Sequence, residues 1–242
     1  QTLWNGGSLT AMASPRLADQ PTDAAFDLDL GATNGQDRWL VALSQQWSNG
    51  INPQWLLYGE GRQSPQLGFN LTGVLGQATV AYVEWSGGRS ASQWAQALRI
   101  GDDAAFHSRL ATGLTYTTDN KISITAEYDF NGAALTPDAW TALGKSAPQA
   151  YAQYRNWVQR ALDLPTQQSV FVYASWQEVF SSQWDINAML RHNLDDHSQL
   201  TWLEARYHWG RADWAVQWQH HRGGLATEFG ALQQEQAVQV LL

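Results

Sequence analysis

Apolar and polar residues alternate along most of the chain in segments of about ten residues, the repeat that sends successive side chains to opposite faces of a β-strand. The cleanest segment sets Ile122, Ile124, Ala126, Tyr128 and Phe130 against Lys121, Ser123, Thr125, Glu127 and Asp129. One face is oily and the other ionic. Phe26, Leu28, Leu30 and Ala32 alternate in the same way with Asp27, Asp29 and Thr33, and Leu67, Phe69, Leu71 and Leu75 with Gln66, Asn70 and Thr72. Further along, Trp184, Ile186, Ala188 and Leu190 alternate with Asp185, Asn187 and Arg191, and Leu203, Ala205, Tyr207 and Trp209 with Glu204, Arg206 and His208. Ala212, Trp214, Val216 and Trp218 do so with Asp213, Gln217 and Gln219. Weaker versions occupy residues 37–47, 52–60, 77–86, 105–117 and 166–178. Adding the segments near residues 3–12 and from about residue 233 onward, the pattern predicts about thirteen strands in one domain, residues 1–242.

The connections alternate in length. Thr118-Asp119-Asn120, Ser181-Ser182 and Gly210-Arg211 make short turns after every second strand, while long insertions at about 87–104, 131–165 and 222–232 fall on the opposite side. The link at Asp195-Asp196 is short although it belongs to the long side. Within the insertion at about 131–165, Thr136-Pro137-Asp138 supplies an N-cap, a proline at the first helical position and an early acid. Pro148 then opens a second helical segment, with Tyr151, Tyr154, Val158 and Ala161 on one stripe. Ser92 through Leu98 predicts another helical turn. Gly87-Gly88 and Gly223-Gly224 read as turns.

Aromatic rings gather near the expected strand ends. Tyr116, Trp184, Trp209 and Trp214 lie near short turns, and Trp85, Tyr128 and Phe130 lie beside long loops, as two interfacial girdles would. The polar faces carry charges of both signs, among them Arg109, Glu127, Asp129, Asp185, Arg191, Glu204 and Arg206. On these residues and this loop parity the chain resembles a Gram-negative outer-membrane β-barrel of the porin-like or export-barrel kind. The resemblance covers nearly the whole chain and is one of pattern, without a diagnostic motif. It implies an all-β, antiparallel up-and-down transmembrane barrel in the outer membrane. Fourteen or more strands are expected in the full chain, because bacterial barrels have an even count. The seven charged residues would line the pore, and the seven rings would sit at the girdles. Arg109, Arg191 and Arg206 would oppose Glu127, Asp129 and Glu204 to make a transverse field. The expected partners are the lipid bilayer with its lipopolysaccharide, the barrel assembly machinery and a small polar solute in transit. Val238, Val240 and Leu242 alternate as a final barrel strand does, but no terminal aromatic follows, and the chain opens at Gln1; a fragment lacking both extreme termini is expected.

Composition sharpens this reading. With 14 tryptophans but a mean hydropathy of −0.39, the chain has no run of the roughly 18 apolar residues that a spanning helix needs. The absence of cysteine excludes disulfides, thiolate metal sites and cysteine nucleophiles. A net charge of −8 without a basic stripe argues against nucleic acid. Two other classes stay open: an outer-membrane hydrolase of lipid or peptide, and a secreted β-sandwich that binds carbohydrate through exposed tryptophans.

Candidate chemistry is sparse. His107-Ser108 and His197-Ser198 are the adjacent His-Ser pairs, and neighbours on a strand face opposite ways. The Gly-x-Ser-x-Gly elbow is absent. His220-His221 splits across two faces. His192, Asp195, Asp196 and His197 bracket a turn that offers metal donors, although such a turn is more often only solvated. No catalytic residue, cofactor or metal is assigned.

Overall fold

The computed structural model describes residues 2–16, 35–47, 50–101, 103–232 and 234–242. Strands β1 (Thr2–Trp4), β2 (Gly7–Ser14), β3 (Arg38–Gln45), β4 (Asn52–Glu60), β5 (Gln66–Leu75) and β6 (Thr79–Ser90) lead to a short helix, α1 (Gln93–Leu98). β7 (Ala105–Thr117) and β8 (Ile122–Asn131) precede helices α2 (Pro137–Ser146) and α3 (Pro148–Ala161). β9 (Gln168–Trp176), β10 (Trp184–Asn193), β11 (Gln199–Trp209), β12 (Ala212–Arg222) and β13 (Gln236–Leu241) complete the chain. Each strand pairs antiparallel with its neighbours in sequence, so the fold is one up-and-down sheet, with twelve strands of six residues or more behind a three-residue first strand. Among the described residues no helix is long and apolar enough to cross a membrane.

The sheet is not closed. Closure was the expectation, and strand parity explains the departure. In a meander of thirteen strands the first and last run in the same direction, so β1 and β13 cannot complete an antiparallel ladder with each other. β2, which runs opposite to β13, already has β1 on its outer edge. The N-terminal segment also differs from its prediction: Asn5-Gly6 breaks it into the hairpin β1–β2, with Gly6 at a φ of 75°. The predicted strand over residues 26–32 lies outside the described residues. Gly87-Gly88 is not a turn but part of β6. A Cβ on Gly87 would strike the Trp85 and Phe106 rings, and one on Gly88 the Gln66 amide, so these glycines make room for neighbouring side chains within the sheet.

Regular pairing from β3 to β13 keeps one polar and one apolar face continuous across the sheet. A typical row of facing residues runs Thr117, Ser123, Ser175, Asn187, Glu204, Gln217 and Gln239. The adjoining face carries Trp55, Ile124, Leu203, Val216 and Val238, and these side chains are exposed, Val216 at 51% and Val238 at 67%. The sheet curls toward its polar side, because Leu56 of β4 and Arg191 of β10 line one cavity.

The short turns lie at one end of the sheet, called here the turn end, and the helices at the other, the loop end. The buried hydrophobic cluster at the loop end comprises Ala97, Trp140, Leu143, Tyr154 and Val158, with Trp94, Tyr151 and Trp157 packed around it. Thr136 Oγ1 caps α2 by accepting from the Ala139 amide (3.3 Å), and Ser92 Oγ caps α1 by accepting from Ala95 (3.1 Å). The apolar stripe of α3 ends at Val158; Ala161 is exposed. Tyr154, 0% exposed, donates to the Pro165 carbonyl (2.8 Å), and its hydroxyl is pushed up in pKa by burial. The Gln93 amide lies 2.8 Å away, with Oε1 toward that hydroxyl and Nε2 unpartnered. A hydroxyl has one proton to give, so hydrogen-bond logic favours the reversed amide, with Nε2 donating to Tyr154.

Candidate functional site

All seven expected lining residues, Arg109, Glu127, Asp129, Asp185, Arg191, Glu204 and Arg206, lie on the concave polar face. All seven expected girdle rings lie on the opposite face: Tyr116, Trp184, Trp209 and Trp214 at the turn end, and Trp85, Tyr128 and Phe130 toward the loop end. Side chains on the polar face bond from strand to strand. Asn70 donates to Gln54 (3.2 Å) and Gln54 to Ser44 (2.9 Å), and Thr115 meets Thr125 at 2.8 Å. The densest network surrounds Glu204, 5% exposed, whose carboxylate accepts from Asn187 (3.1 Å), Gln217 (2.7 Å) and both Nε and Nη2 of Arg206 (3.2 Å each). Tyr173 extends it by donating to Asn187 (3.0 Å). Arg206 and Glu204 therefore cancel each other on one strand and do not oppose across a gap, and Arg109 is paired with Asp163 (2.9 Å). Arg191 has no ion-pair partner within 4.0 Å among the described residues.

Asp163 was not anticipated. The α3 helix ends with Leu162 in the left-handed region (φ 53°), which turns Leu162, Asp163 and Leu164 back over the polar face. There Asp163 accepts from Asn131 Nδ2 (2.8 Å) and holds Arg109. A cavity of about 370 Å³, lined by Asn70, Glu84, Arg109, Asp129 and Arg191, lies against this hook. A second of about 290 Å³, lined by Trp140, Arg155, Glu228 and Phe229, shares Leu162, Asp163 and Arg191 with the first. The hook thus separates two cavities.

The cap over the loop end is assembled from four connections. Trp140 Nε1 donates to Asp196 (3.0 Å), and Arg155 donates to the carbonyls of Thr227 (3.3 Å) and Glu228 (3.1 Å). Gln153 donates to the Ala97 carbonyl (3.0 Å). Gly144 allows the loop from β12 to β13 to approach, since a Cβ there would come within 2.6 Å of the Ala226 Cβ. Beneath them the Glu228 carboxyl accepts from Asn193 (2.8 Å); burial raises its pKa, against the pull of the Arg191 charge and that hydrogen bond.

Arrangements that resemble catalytic or metal sites are incomplete. Ser90 Oγ lies 3.2 Å from His107 Nδ1 on the polar face, a pairing across strands that sequence adjacency does not reveal. No carboxylate holds the other ring nitrogen of His107 among the described residues, so the relay that activates a serine lacks its third member. His208 sits between Asp185 (3.0 Å) and Asp213 (2.8 Å), which engage both ring nitrogens and leave none free to act as a base. Asp195 accepts from Gln168, and Asp196 from Trp140, Ser198 and Glu228, so the turn with candidate metal donors spends its carboxylates on protein donors. Among the described residues no three His, Cys, Asp or Glu side chains converge as metal ligands. Comparison of the chain with protein-family models, with curated proteins and with solved structures found no match in any of the three.

Proposed function

We propose that this sheet is the wall of an outer-membrane β-barrel and that its polar face conducts small polar solutes beneath the helical cap. The observation that carries the reading is the apolar face. A single-layer sheet in water must cover one face with a second layer, and large exposed apolar areas are otherwise unstable. Here Leu203, Val216, Val238 and Val240 remain exposed, and the buried hydrophobic cluster sits in the cap instead. Lipid is the solvent that satisfies such a face, and strands of 9 to 13 residues from β4 to β12 match the 9–11 residues of a tilted transmembrane strand. Aromatic rings at both ends of the apolar band support the same solvent. Closing the wall calls for one more strand, antiparallel to both β1 and β13.

Passage would be filtered by width and fixed charge. The Leu162–Leu164 hook, tethered through Asp163 to Arg109 and Asn131, narrows the route between the two cavities, and the unpaired Arg191 guanidinium faces both. The partners that follow are the bilayer with its lipopolysaccharide, the machinery that inserts barrels and the solute.

Single cysteines test the wall. In reconstituted membranes Glu127→Cys, Arg191→Cys and Arg206→Cys should react with a membrane-impermeant thiol reagent, while Ile124→Cys, Ala188→Cys and Val216→Cys stay protected. Reaction at the second set overturns the membrane reading. Conduction is tested in planar bilayers, where discrete conductance steps that grow in the Asp163→Ala variant are expected; an inserted wall with no conductance overturns the channel.

A further inference from the structure

Charge of both signs sits on the polar face of the sheet, whereas the apolar face carries only basic groups. Among the described strand residues the apolar face carries no aspartate or glutamate, although the chain has 22 of them against 14 lysines and arginines. Its basic side chains are Arg89 of β6, His192 of β10, and His220 and Arg222 of β12. All four stand within the last three positions of their strands at the loop end. At the turn end the same face shows Tyr116, Trp176, Trp184, Trp209 and Trp214 and no charge.

Three of these four side chains form one patch. His192 faces Gln199, which faces Arg222, so these side chains make a row across β10, β11 and β12. The next row on this face holds Leu190, Thr201 and His220. The His220 ring stacks on Trp218 at 5.6 Å and 14°, and the His192 ring lies 6.4 Å from that of His197. Arg222 is exposed and has no ion-pair partner within 4.0 Å among the described residues. The neighbouring acid is Glu235, 3.9 Å from His220 with its side chain 81% exposed. On β6, Arg89 donates to the Ala104 carbonyl (2.8 Å) and keeps its charge at the rim.

We propose that this loop-end rim docks the phosphorylated, anionic headgroups of one lipid leaflet, an assignment that rests on the membrane reading and adds to it which lipid the wall prefers and at which end. A chain with an acidic excess would be repelled by an anionic leaflet if its carboxylates faced the lipid. Here the described strand carboxylates lie on the opposite face of the sheet, with Glu235 the acid beside the patch, and the rim presents a guanidinium whose planar fork matches phosphate oxygens. Trp218, immediately below, is the kind of ring that settles at headgroup depth. Attraction of this kind is worth about fivefold in lipid affinity for each arginine or lysine at the surface.

The absence of cysteine makes a local test direct. Thr201→Cys, beside His220, and Ala212→Cys, at the turn end of the same face, are each labelled with a fluorophore in the full chain. The proteins are reconstituted in phosphatidylcholine vesicles containing either brominated phosphatidylcholine or brominated phosphatidic acid. Quenching should report about fivefold tighter binding of phosphatidic acid beside position 201 and no preference beside position 212. Adding Arg222→Gln and His220→Gln should bring position 201 to the level of 212. Equal preference at the two positions, or a preference at 201 that survives those substitutions, overturns the docking surface while leaving the wall in place. Absence of quenching at both positions by either lipid overturns the membrane reading and the docking surface together.

Discussion

The cap and the apolar face of the sheet follow opposite rules for where large side chains go. In the cap Trp140 is 1% exposed and Tyr154 0%, each packed among Leu143, Val158 and Ala97. On the sheet Trp39, Trp55, Trp209 and Trp214 all stand exposed. The two regions share one chain and one residue alphabet, and under the proposed membrane reading they differ in the medium they meet. A core that closes on itself is the solution for water; an outward band bounded by rings is the solution for hydrocarbon. The polar face of the sheet belongs with the cap in this respect, since the Glu204 carboxylate and the Asn187 and Gln217 amides are satisfied within the protein.

The contrast can be broken first in the cap. Trp140→Ala should cost the cap about 3–5 kcal/mol through the cavity it leaves, in addition to the hydrogen bond to Asp196. Trypsin should then cut at Arg155 or Arg160 while the strand signal in circular dichroism is unchanged; loss of both together would mean that cap and sheet form one cooperative unit. Next in size is a charge placed in the middle of the apolar band. Leu203→Arg should destabilise the bilayer-inserted protein by about 2–4 kcal/mol in urea titrations, whereas a face bathed in water would register a change of only about 0.5 kcal/mol. A smaller loss, about 1–3 kcal/mol, is expected for Glu204→Ala, which strands the donors of Asn187, Arg206 and Gln217. It should lower the melting temperature of the sheet and leave the cap's resistance to trypsin unaltered.

The smallest effect concerns Glu228. Its folded pKa lies above that of the unfolded chain, chiefly because of burial, so its contribution to cap stability is complete below the ordinary carboxylate range and falls as pH rises through the folded value. Glu228→Gln keeps an acceptor for Asn193 and removes the titration. The variant's cap should resist trypsin equally at low and neutral pH, while the parent becomes more susceptible toward neutral pH. An identical pH response in both proteins would assign the effect to another group.

Much of the sheet was legible because alternation is a local code. Once β8 is read as Ile122 to Phe130 on one side and Ser123 to Asp129 on the other, regular pairing carries the same division through β3 to β13. This is why Glu127, Arg191 and Arg206 share a face although they come from three strands. The helices were legible through Thr136-Pro137 and Pro148. The hook was not, because nothing around Leu162 announces a left-handed residue; glycine or asparagine is the usual signal there. Nor were the bonds of Trp140 to Asp196 and of Arg155 to Glu228, which join separate connections and leave no periodic trace. Ser90 and His107 meet only because β6 and β7 pair in a particular register, and the Asn5-Gly6 turn was hidden inside an alternating run.

The cap has a further consequence in time. Every ladder in the sheet joins strands adjacent in sequence, so the wall can grow by successive local closures, the fast kind of contact to make. The cap instead draws together α1, α2, α3, the turn at Asp196 and the segment at Thr227 and Glu228, partners 32 to 76 residues apart. It cannot lock until β12 is in place. A protease pulse during refolding should therefore find the helices cleavable after the strands have formed, making the cap the last part of the molecule to mature and the mouth of the sheet open until then.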